Sequence, residues 1–176
     1  MKIVKALLVI VLVLATALLL GGLLISPQFS VARSATIAAP PEAVYGLIAD
    51  PRRWKEWSVW NRRDPQMAMT YSGAASGAGA VWSWKSASEG DGRMSFTAAE
   101  PGRRVSYELF FPDFGTTSTG ALTLVPENGG TRITWTLAGN LGGNPMMRWF
   151  ALAMDGMVGN DFDAGLANLK ALAERR

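Results

Sequence analysis

Six segments between residues 68 and 139 alternate apolar with polar side chains at a period of two, and this alternation dictates a sheet. A strand with one buried face produces such a pattern, because successive side chains point to opposite faces. Short glycine-containing turns such as Pro101-Gly102 and Asn128-Gly129-Gly130 separate the segments, so sequential strands should pair antiparallel. The predicted strands are residues 68–73, 80–86, 93–98, 103–111, 117–125 and 131–139.

Helices and one further strand flank this region. Residues 29–38 alternate like a strand, and Pro41 with Glu42 after it is a helix-start signal. A second short helix is expected to follow, with Asp50 as its cap. A helical apolar stripe predicts one long helix over residues 145–176. Helices segregated from an antiparallel sheet indicate an α+β fold.

One face of the predicted sheet is apolar and aromatic. On residues 131–139, for example, Ile133, Trp135 and Leu137 alternate with polar side chains. The same parity places Trp82, Trp84, Tyr107 and other large side chains inward. Patterning alone does not distinguish a filled core from one that contains a cavity. The remaining inward positions are Phe29, Val31, Ala35, Ile37, Val105, Leu109, Phe111, Gly120, Leu122 and Leu124.

Residues 6–25 form an uninterrupted stretch of 20 residues without a charge. As a helix this stretch would rise about 30 Å, the thickness of a bilayer's hydrocarbon core. Lys2 and Lys5 precede it and should stay in the cytoplasm. We therefore predict an N-terminal transmembrane anchor over residues 1–27 and an extracytoplasmic domain over residues 28–176. In a Gram-negative cell this is a single-pass inner-membrane protein with a periplasmic domain.

A cleaved signal peptide is the competing interpretation of this stretch. Ala32-Arg33-Ser34 offers a small-x-small cleavage site. Cleavage there would remove half of the predicted first strand, which favours an anchor that is retained.

Composition excludes several functional classes. Without Lys2 and Lys5, the 17 Lys and Arg residues nearly balance the 14 Asp and Glu residues and leave a net charge of +1, so a nucleic-acid partner is not expected. The chain contains neither cysteine nor histidine, which removes thiol chemistry and the commonest acid–base residue and metal ligand. No cofactor, metal site or catalytic residue is predicted, and a protein partner is left open.

Several motifs resemble one family when they are taken in order. They are V-x-x-S-x-T-I-x-A-P-P-E-x-V-Y at 31–45, D-P-x-x-W-x-x-W-x-x-W-x-x-x-D-P at 50–65, G-x-G-A-x-W-x-W at 77–84, G-G-T-R-I-T-W at 129–135 and G-L-A-N-L-K-A-L-A-E at 165–174. Together they resemble the START-like, Bet v 1-type superfamily. The closest likeness is to bacterial SRPBCC proteins labelled polyketide cyclase/dehydrase.

This resemblance implies a helix-grip fold. A seven-stranded curled antiparallel sheet would surround the long C-terminal helix, with two short helices after the first strand. It also implies an apolar cavity between sheet and helix for a lipid, quinone or polyketide-like molecule, with an expected volume of roughly 300–1,000 Å³. The expected ligand-binding residues are Trp57, Trp60, Trp82, Trp84, Tyr107, Leu109, Leu122, Trp135, Phe150, Met154, Met157 and Val158.

Trp54, Trp57 and Trp60 recur at a spacing of three and leave more than one interpretation open. We expect Trp57 to pack inward, Trp60 to seal one end of the cavity and Trp54 to be the exposed member. The three indoles could equally just close the core. Contact with a bilayer is a third interpretation, because tryptophan beside arginine and lysine is common at membrane interfaces.

The leading functional hypothesis is a membrane-anchored, non-catalytic module that binds a hydrophobic small molecule. An aromatase/cyclase-type enzyme is the alternative, and Arg33, Tyr45, Tyr71, Tyr107 and Glu108 are its candidate polar groups. Of these, Tyr107 is the best inward group, but a buried tyrosine hydroxyl with a backbone partner explains it more simply. A third hypothesis is an envelope scaffold for protein interactions, which an exposed apolar patch near Phe110 or Phe114 would favour.

Overall fold

The structure is a computed structural model that describes residues 2–175. Helix α1 comes first, and the strands and remaining helices form the domain that follows it. The elements in chain order are α1 (Lys2–Leu24), β1 (Gln28–Ile37), α2 (Pro41–Ile48), a 3₁₀ turn (Pro51–Arg53), α3 (Trp54–Trp57), α4 (Val59–Arg63), β2 (Ala68–Gly73), β3 (Ala80–Lys85), β4 (Gly92–Glu100), β5 (Arg104–Phe111), β6 (Thr116–Glu127), β7 (Gly130–Asn140) and α5 (Pro145–Ala173).

The seven strands form one antiparallel sheet in the order β1-β7-β6-β5-β4-β3-β2. Helix α5 packs across its inner face, where Phe162, Leu166 and Leu169 are buried. This is the predicted helix-grip architecture, and all seven predicted strands are present. Strand β4 runs further than expected and has an irregular register between Phe96 and Ala98.

The predicted inner face is confirmed by burial. Val31, Leu122, Ile133 and Trp135 are almost completely buried on it, because the alternation of each strand turns them toward α5. Tyr107 lies on the same face in the middle of β5. The alternate apolar residues of the strands therefore form the core of the folded domain.

The register brings one end of every strand to the same side as α1. Gln28, where β1 begins, pairs with Asn140, where β7 ends. At the same end Phe111 pairs with Thr116 across the β5–β6 turn. Strand β3 also ends there, and β2 and β4 begin there. We call this the α1 end of the sheet.

Helix α1 stands apart from the domain core. It is long and apolar enough to cross a membrane, and nearly all its side chains are exposed. Gly22 is the single buried position that the structure describes in this helix. Helix α1 contacts the first turns of α5, at Pro145 and Trp149.

The tryptophan-bearing segment differs in detail from its prediction. Asp50 accepts a hydrogen bond from the Arg52 backbone N–H at 2.8 Å, but it caps a 3₁₀ turn that continues into α3. Extended backbone at Ser58 then ends α3 and starts α4, which carries Trp60. The expectation that Trp54 is exposed is wrong, since only 3% of it is accessible.

Candidate ligand-binding cavity

Aromatic rings fill the middle of the space between the sheet and α5. Trp135 stacks on Phe162 with ring centroids 3.9 Å apart and planes 5° from parallel. Trp57 meets Trp135 edge-on at 5.3 Å, and Trp54 lies 4.7 Å from Trp57. Such pairs stabilise a core beyond the area that they bury. The centre of the domain is therefore packed, and Trp57 faces inward as predicted.

Two of the indole N–H groups fix the short helices to each other. Trp54 Nε1 donates to the carbonyl of Ile48 at 2.8 Å, and Trp57 Nε1 donates to that of Leu47 at 3.2 Å. Both carbonyls lie in the last turn of α2, where the helix leaves acceptors unpaired. Each tryptophan thus buries its ring and satisfies a helix end at the same time.

The Tyr107 hydroxyl belongs to a closed chain of hydrogen bonds. It accepts from Trp135 Nε1 at 2.9 Å and donates to the backbone carbonyl of Thr136 at 2.9 Å. Burial raises the pKa of the Tyr107 hydroxyl, so the group stays protonated at neutral pH. The ring of Tyr107 lies over Gly120, where an added Cβ would come within 2.4 Å of the hydroxyl oxygen. The interpretation of Tyr107 as a buried hydroxyl with a backbone partner is confirmed.

A cavity of about 100 Å³ remains beside this aromatic core, between the short helices and strands β2 to β5. It lies at the α1 end of the sheet, because its strand residues stand near the ends of β3 and β5 and near the starts of β2 and β4. Five of its twelve lining residues are aromatic. The rings in these walls belong to Trp54, Trp60, Trp82, Trp84 and Phe111.

Methionine supplies much of the remaining wall. Met67, Met69 and Met94 line the cavity together with Leu109. Asn61 lies against two of the sulfurs, with Nδ2 3.6 Å from Met67 Sδ and 3.8 Å from that of Met69. Methionine side chains are flexible and adapt to differently shaped neighbours. This wall is therefore able to change its shape more readily than the packed aromatic core.

A charged cluster borders the cavity where α4 meets α5. Arg63 forms an ion pair with Asp161 of α5 and a longer one, at 3.5 Å, with Glu89. Trp60 Nε1 donates to the same Asp161 carboxylate at 2.9 Å. Among residues 2–175, Glu89 is the one ionisable side chain in the cavity wall, and it shares Arg63 with Asp161.

The structure distributes the twelve predicted ligand-binding residues among three environments. Trp60, Trp82, Trp84 and Leu109 line the cavity, whereas Trp57, Tyr107, Leu122 and Trp135 lie in the packed core. On α5, Met154 and Val158 are half-buried against the core, and Phe150 and Met157 are exposed. No described residue of α5 lines the cavity, which also has a smaller volume than expected.

Sequence reasoning did not single out several cavity residues. Met69 and Met94 were detectable in principle, because both sit on the inward parity of their strands. Trp54 was expected at the surface, and Ser58 and Asn61 carried no such signal because they lie at and after the break between α3 and α4. Met67 and Glu89 were not anticipated either, and Phe111 was predicted to face inward but not to bind a ligand.

Arg33 forms ion pairs with α5 and does not line the cavity. Its guanidinium donates to Asp155 at 2.8 Å and to Asp163 at 3.0 Å, and so ties β1 to α5. These contacts hold the pKa of the Asp155 carboxyl below its usual range. Arg33 and Tyr107 are thus engaged with different partners, and neither lines the cavity.

Residues 28–174 match the model of the family described as polyketide cyclase / dehydrase and lipid transport. The chain belongs to this family. The match covers the whole helix-grip domain and confirms the resemblance seen in the sequence motifs. No curated protein sequence matches the chain.

Solved structures share the fold of this family member at low sequence identity. A protein from Chromobacterium violaceum is 19% identical with a TM-score of 0.58, and 84% of this chain covers 99% of that one. An uncharacterized protein from Rhizobium leguminosarum is 17% identical with a TM-score of 0.64, with coverage of 85% and 96%. The di-domain ARO/CYC StfQ from the steffimycin biosynthetic pathway is 14% identical with a TM-score of 0.64. The match to StfQ includes 84% of this chain and 51% of StfQ, about half the length of that protein.

Proposed function

We propose that this protein is a membrane-anchored, non-catalytic binding module that holds a hydrophobic small molecule, or part of one, in the cavity between its short helices and strands β2 to β5. The observation that carries the proposal is the aromatic and methionine lining of that cavity beside an otherwise packed core. Lipids, quinones and polyketide-like molecules share the apolar chemistry that such walls favour.

The size of the cavity limits what it holds without rearrangement. An apolar cavity of about 150 Å³ admits a ligand of the size of benzene. A cavity of about 100 Å³ therefore takes a small ring or a short stretch of acyl chain. A larger ligand requires the wall to open, and Met67 and Met69, both half-buried, are the side chains that move most easily.

The proposal includes α1 as a transmembrane anchor, with residues 28–176 as the extracytoplasmic domain. The apolar side chains of α1 are exposed almost throughout, which is costly in water and favourable in lipid. Cleavage after Ser34 would remove most of β1, which pairs with β7 from Gln28 to Ile37. A strand that forms the edge of the sheet and packs under α5 is a poor site for cleavage.

The cyclase-type alternative is less well supported. Enolate chemistry needs a polar group directed at the substrate, with a pKa near the working pH. Tyr107 donates its proton to a backbone carbonyl, and its raised pKa opposes ionisation. Glu89 is the remaining candidate in the wall, and Arg63 holds it in an ion pair.

A cavity-filling substitution tests the proposed function. Leu109→Trp adds an indole to the cavity wall, and Val125→Trp adds the same group at an exposed position on the outer face, at the opposite end of the sheet. Each full-length variant would be purified beside the wild type and its organic extract analysed by mass spectrometry. Quenching of tryptophan fluorescence by 1,4-naphthoquinone would measure binding directly.

We expect a small molecule to copurify with the wild type and with Val125→Trp. Leu109→Trp should lower both its amount and the quinone affinity by at least about tenfold, which corresponds to ~1.4 kcal/mol of binding free energy. Near-UV circular dichroism would establish that both variants are folded. Equal binding by folded Leu109→Trp and wild type would refute the assignment of the cavity.

A further inference from the structure

The exposed apolar side chains outside α1 are concentrated on the first half of α5. Five of the eight large hydrophobic residues that are exposed beyond α1 lie between residues 146 and 157. Isolated exposed apolar residues are ordinary, but a concentration on one helix indicates a surface with a partner.

These side chains form a stripe opposite the core-facing side of α5. Met146, Trp149, Phe150 and Met157 recur at spacings of three, four and seven residues, which places them on one helix face. Ala151, Met154 and Val158, which are half-buried against the core, lie on the other side of this segment. The first half of α5 is therefore apolar on both sides, although the domain covers only one of them.

The stripe is continuous with α1 because the two helices pack closely. A Cβ added at Gly22 would lie 2.2 Å from the Pro145 carbonyl oxygen, and one at Gly21 would lie 2.8 Å from the Trp149 ring. Trp149 Nε1 donates to the carbonyl of Leu18 at 3.1 Å. The glycine pair thus permits a contact that any larger residue would prevent.

This contact sets the level of the stripe relative to α1. Leu18 precedes the last residue of α1, Leu24, by six positions, so Trp149 meets the helix about 9 Å inside its apolar end. Arg148 donates to the carbonyl of Leu23 at 3.1 Å and adds positive charge at the C-terminus of α1. In a bilayer spanned by α1, the Trp149 ring would lie about 9 Å below the end of the apolar span, within the roughly 5–10 Å to which an interfacial helix buries its apolar face.

A second exposed ring lies at the same end of the sheet. Phe114, at the tip of the β5–β6 turn, is 61% exposed. Its ring meets Phe111, a cavity wall residue, edge-on at 6.2 Å. An exposed aromatic ring at the α1 end therefore adjoins the wall of the candidate cavity.

We propose that Phe114, Met146, Trp149 and Phe150 form a lipid-facing rim that lies in the interfacial layer of the bilayer that α1 spans. The partner is the lipid surface itself, since apolar and indole side chains favour the boundary of acyl chains and headgroups. The inference rests on α1 as the membrane anchor of the proposed function. It turns the α1 end of the sheet, with the cavity, toward the membrane, so a hydrophobic ligand reaches the cavity without crossing open water.

Because the chain contains no cysteine, a single introduced cysteine can be labelled specifically. Single-cysteine variants Phe150→Cys and Phe114→Cys of the full chain would carry an environment-sensitive fluorophore. Val125→Cys, exposed at the opposite end of the sheet, is the matched control, and Leu12→Cys reports on α1. Each would be reconstituted in vesicles of phosphatidylcholine and phosphatidylglycerol that contain lipids with a quencher at a shallow or a deep position of the acyl chain.

Shallow quenchers should reduce the fluorescence at positions 150 and 114, deep quenchers should reduce it at position 12, and neither should affect position 125. Quenching at position 12 without quenching at 150 and 114 would overturn the lipid-facing rim and leave the anchor intact. A blue-shifted but unquenched label at 150 would also overturn it, because a protein surface would then cover the stripe. No quenching at position 12 would remove the anchor itself, on which the rim depends.

Discussion

Tyr107→Phe tests whether the buried hydroxyl is structural or chemical. The substitution removes one oxygen, which accepts from Trp135 Nε1 and donates to the Thr136 carbonyl, both at 2.9 Å. Trp135 is 1% exposed, so its N–H has no water to bond to once the oxygen is gone. The variant should therefore fold with an unsatisfied donor in its core.

The expected cost follows from that unsatisfied group. A buried donor left without a partner destabilises by about 1–3 kcal/mol. At about 2 kcal/mol, and about 2–4 °C per kcal/mol for a domain of this size, the unfolding midpoint of Tyr107→Phe should fall by ~4–8 °C. Binding in the cavity should persist, because Tyr107 does not line it.

Thermal unfolding of the full chain in detergent micelles, followed by near-UV circular dichroism, measures this loss. The near-UV signal reports the packed tryptophans and not the helicity of α1. Tyr71→Phe is the matched control, since Tyr71 is half-buried on the edge strand β2 and, within residues 2–175, its hydroxyl makes no hydrogen bond. The free energy of unfolding of Tyr71→Phe should stay within about 0.5 kcal/mol of the wild type.

An unchanged midpoint for Tyr107→Phe would refute this reasoning. It would mean that water or another group replaces the lost oxygen, and hence that the hydroxyl is accessible. The cyclase-type alternative would then regain its best candidate group. A fall in stability together with unimpaired naphthoquinone binding would assign Tyr107 to the core.

Two other substitutions test packing and electrostatics. Gly165→Ala should destabilise the domain by about 1–3 kcal/mol, because the added Cβ would lie 3.0 Å from the ring of Trp135. At Gly156, in the same helix, an added Cβ meets nothing within 4 Å, so Gly156→Ala should stabilise the domain by about 0.5–1 kcal/mol. Urea unfolding should give shifts of opposite sign, and equal shifts would contradict the packing described. The Glu174 carboxylate accepts a hydrogen bond from the Ala38 N–H at 2.7 Å. Mainly because of this bond, the pKa of Glu174 lies below its ordinary value of 4.5. Its contribution to stability is therefore present above pH 4.5 and disappears as the pH falls through the lowered value, so Glu174→Gln should be less stable than the wild type near neutral pH and equal to it in acid. A difference that does not change with pH would contradict this coupling.

The sheet was predictable because each strand carries its own evidence. Leu122, Ile133 and Trp135 alternate with polar neighbours, and a one-residue slip would turn all of them to the surface. The turns between strands are equally local, since their glycines and prolines act within a few residues. Parity and turns together determine an antiparallel sheet without any knowledge of tertiary contacts.

The place of the cavity was not predictable by the same means. Whether the inner face is filled depends on three short helical pieces whose directions change at Ser58. The sequence placed Trp54 at the surface, whereas the fold inserts it between Trp57 and Trp82, where its ring helps to fill the centre. The open space therefore lies between the short helices and β2 to β5, and not against α5 as expected.

Topology does explain why the strand residues that line the cavity lie together at the α1 end. In an antiparallel sheet whose first strand follows α1, every strand has one end on the side of α1. Trp84, at the end of β3, and Phe111, at the end of β5, therefore share that end with Gln28. If α1 is a membrane anchor, as proposed, a cavity with these residues in its wall lies near the membrane. If the ligand is a membrane lipid or quinone, the distance from bilayer to cavity is then set by how α1 packs on α5. Replacing Gly22, where an added Cβ would meet the Pro145 carbonyl oxygen at 2.2 Å, should therefore separate the cavity from the membrane without changing the cavity itself.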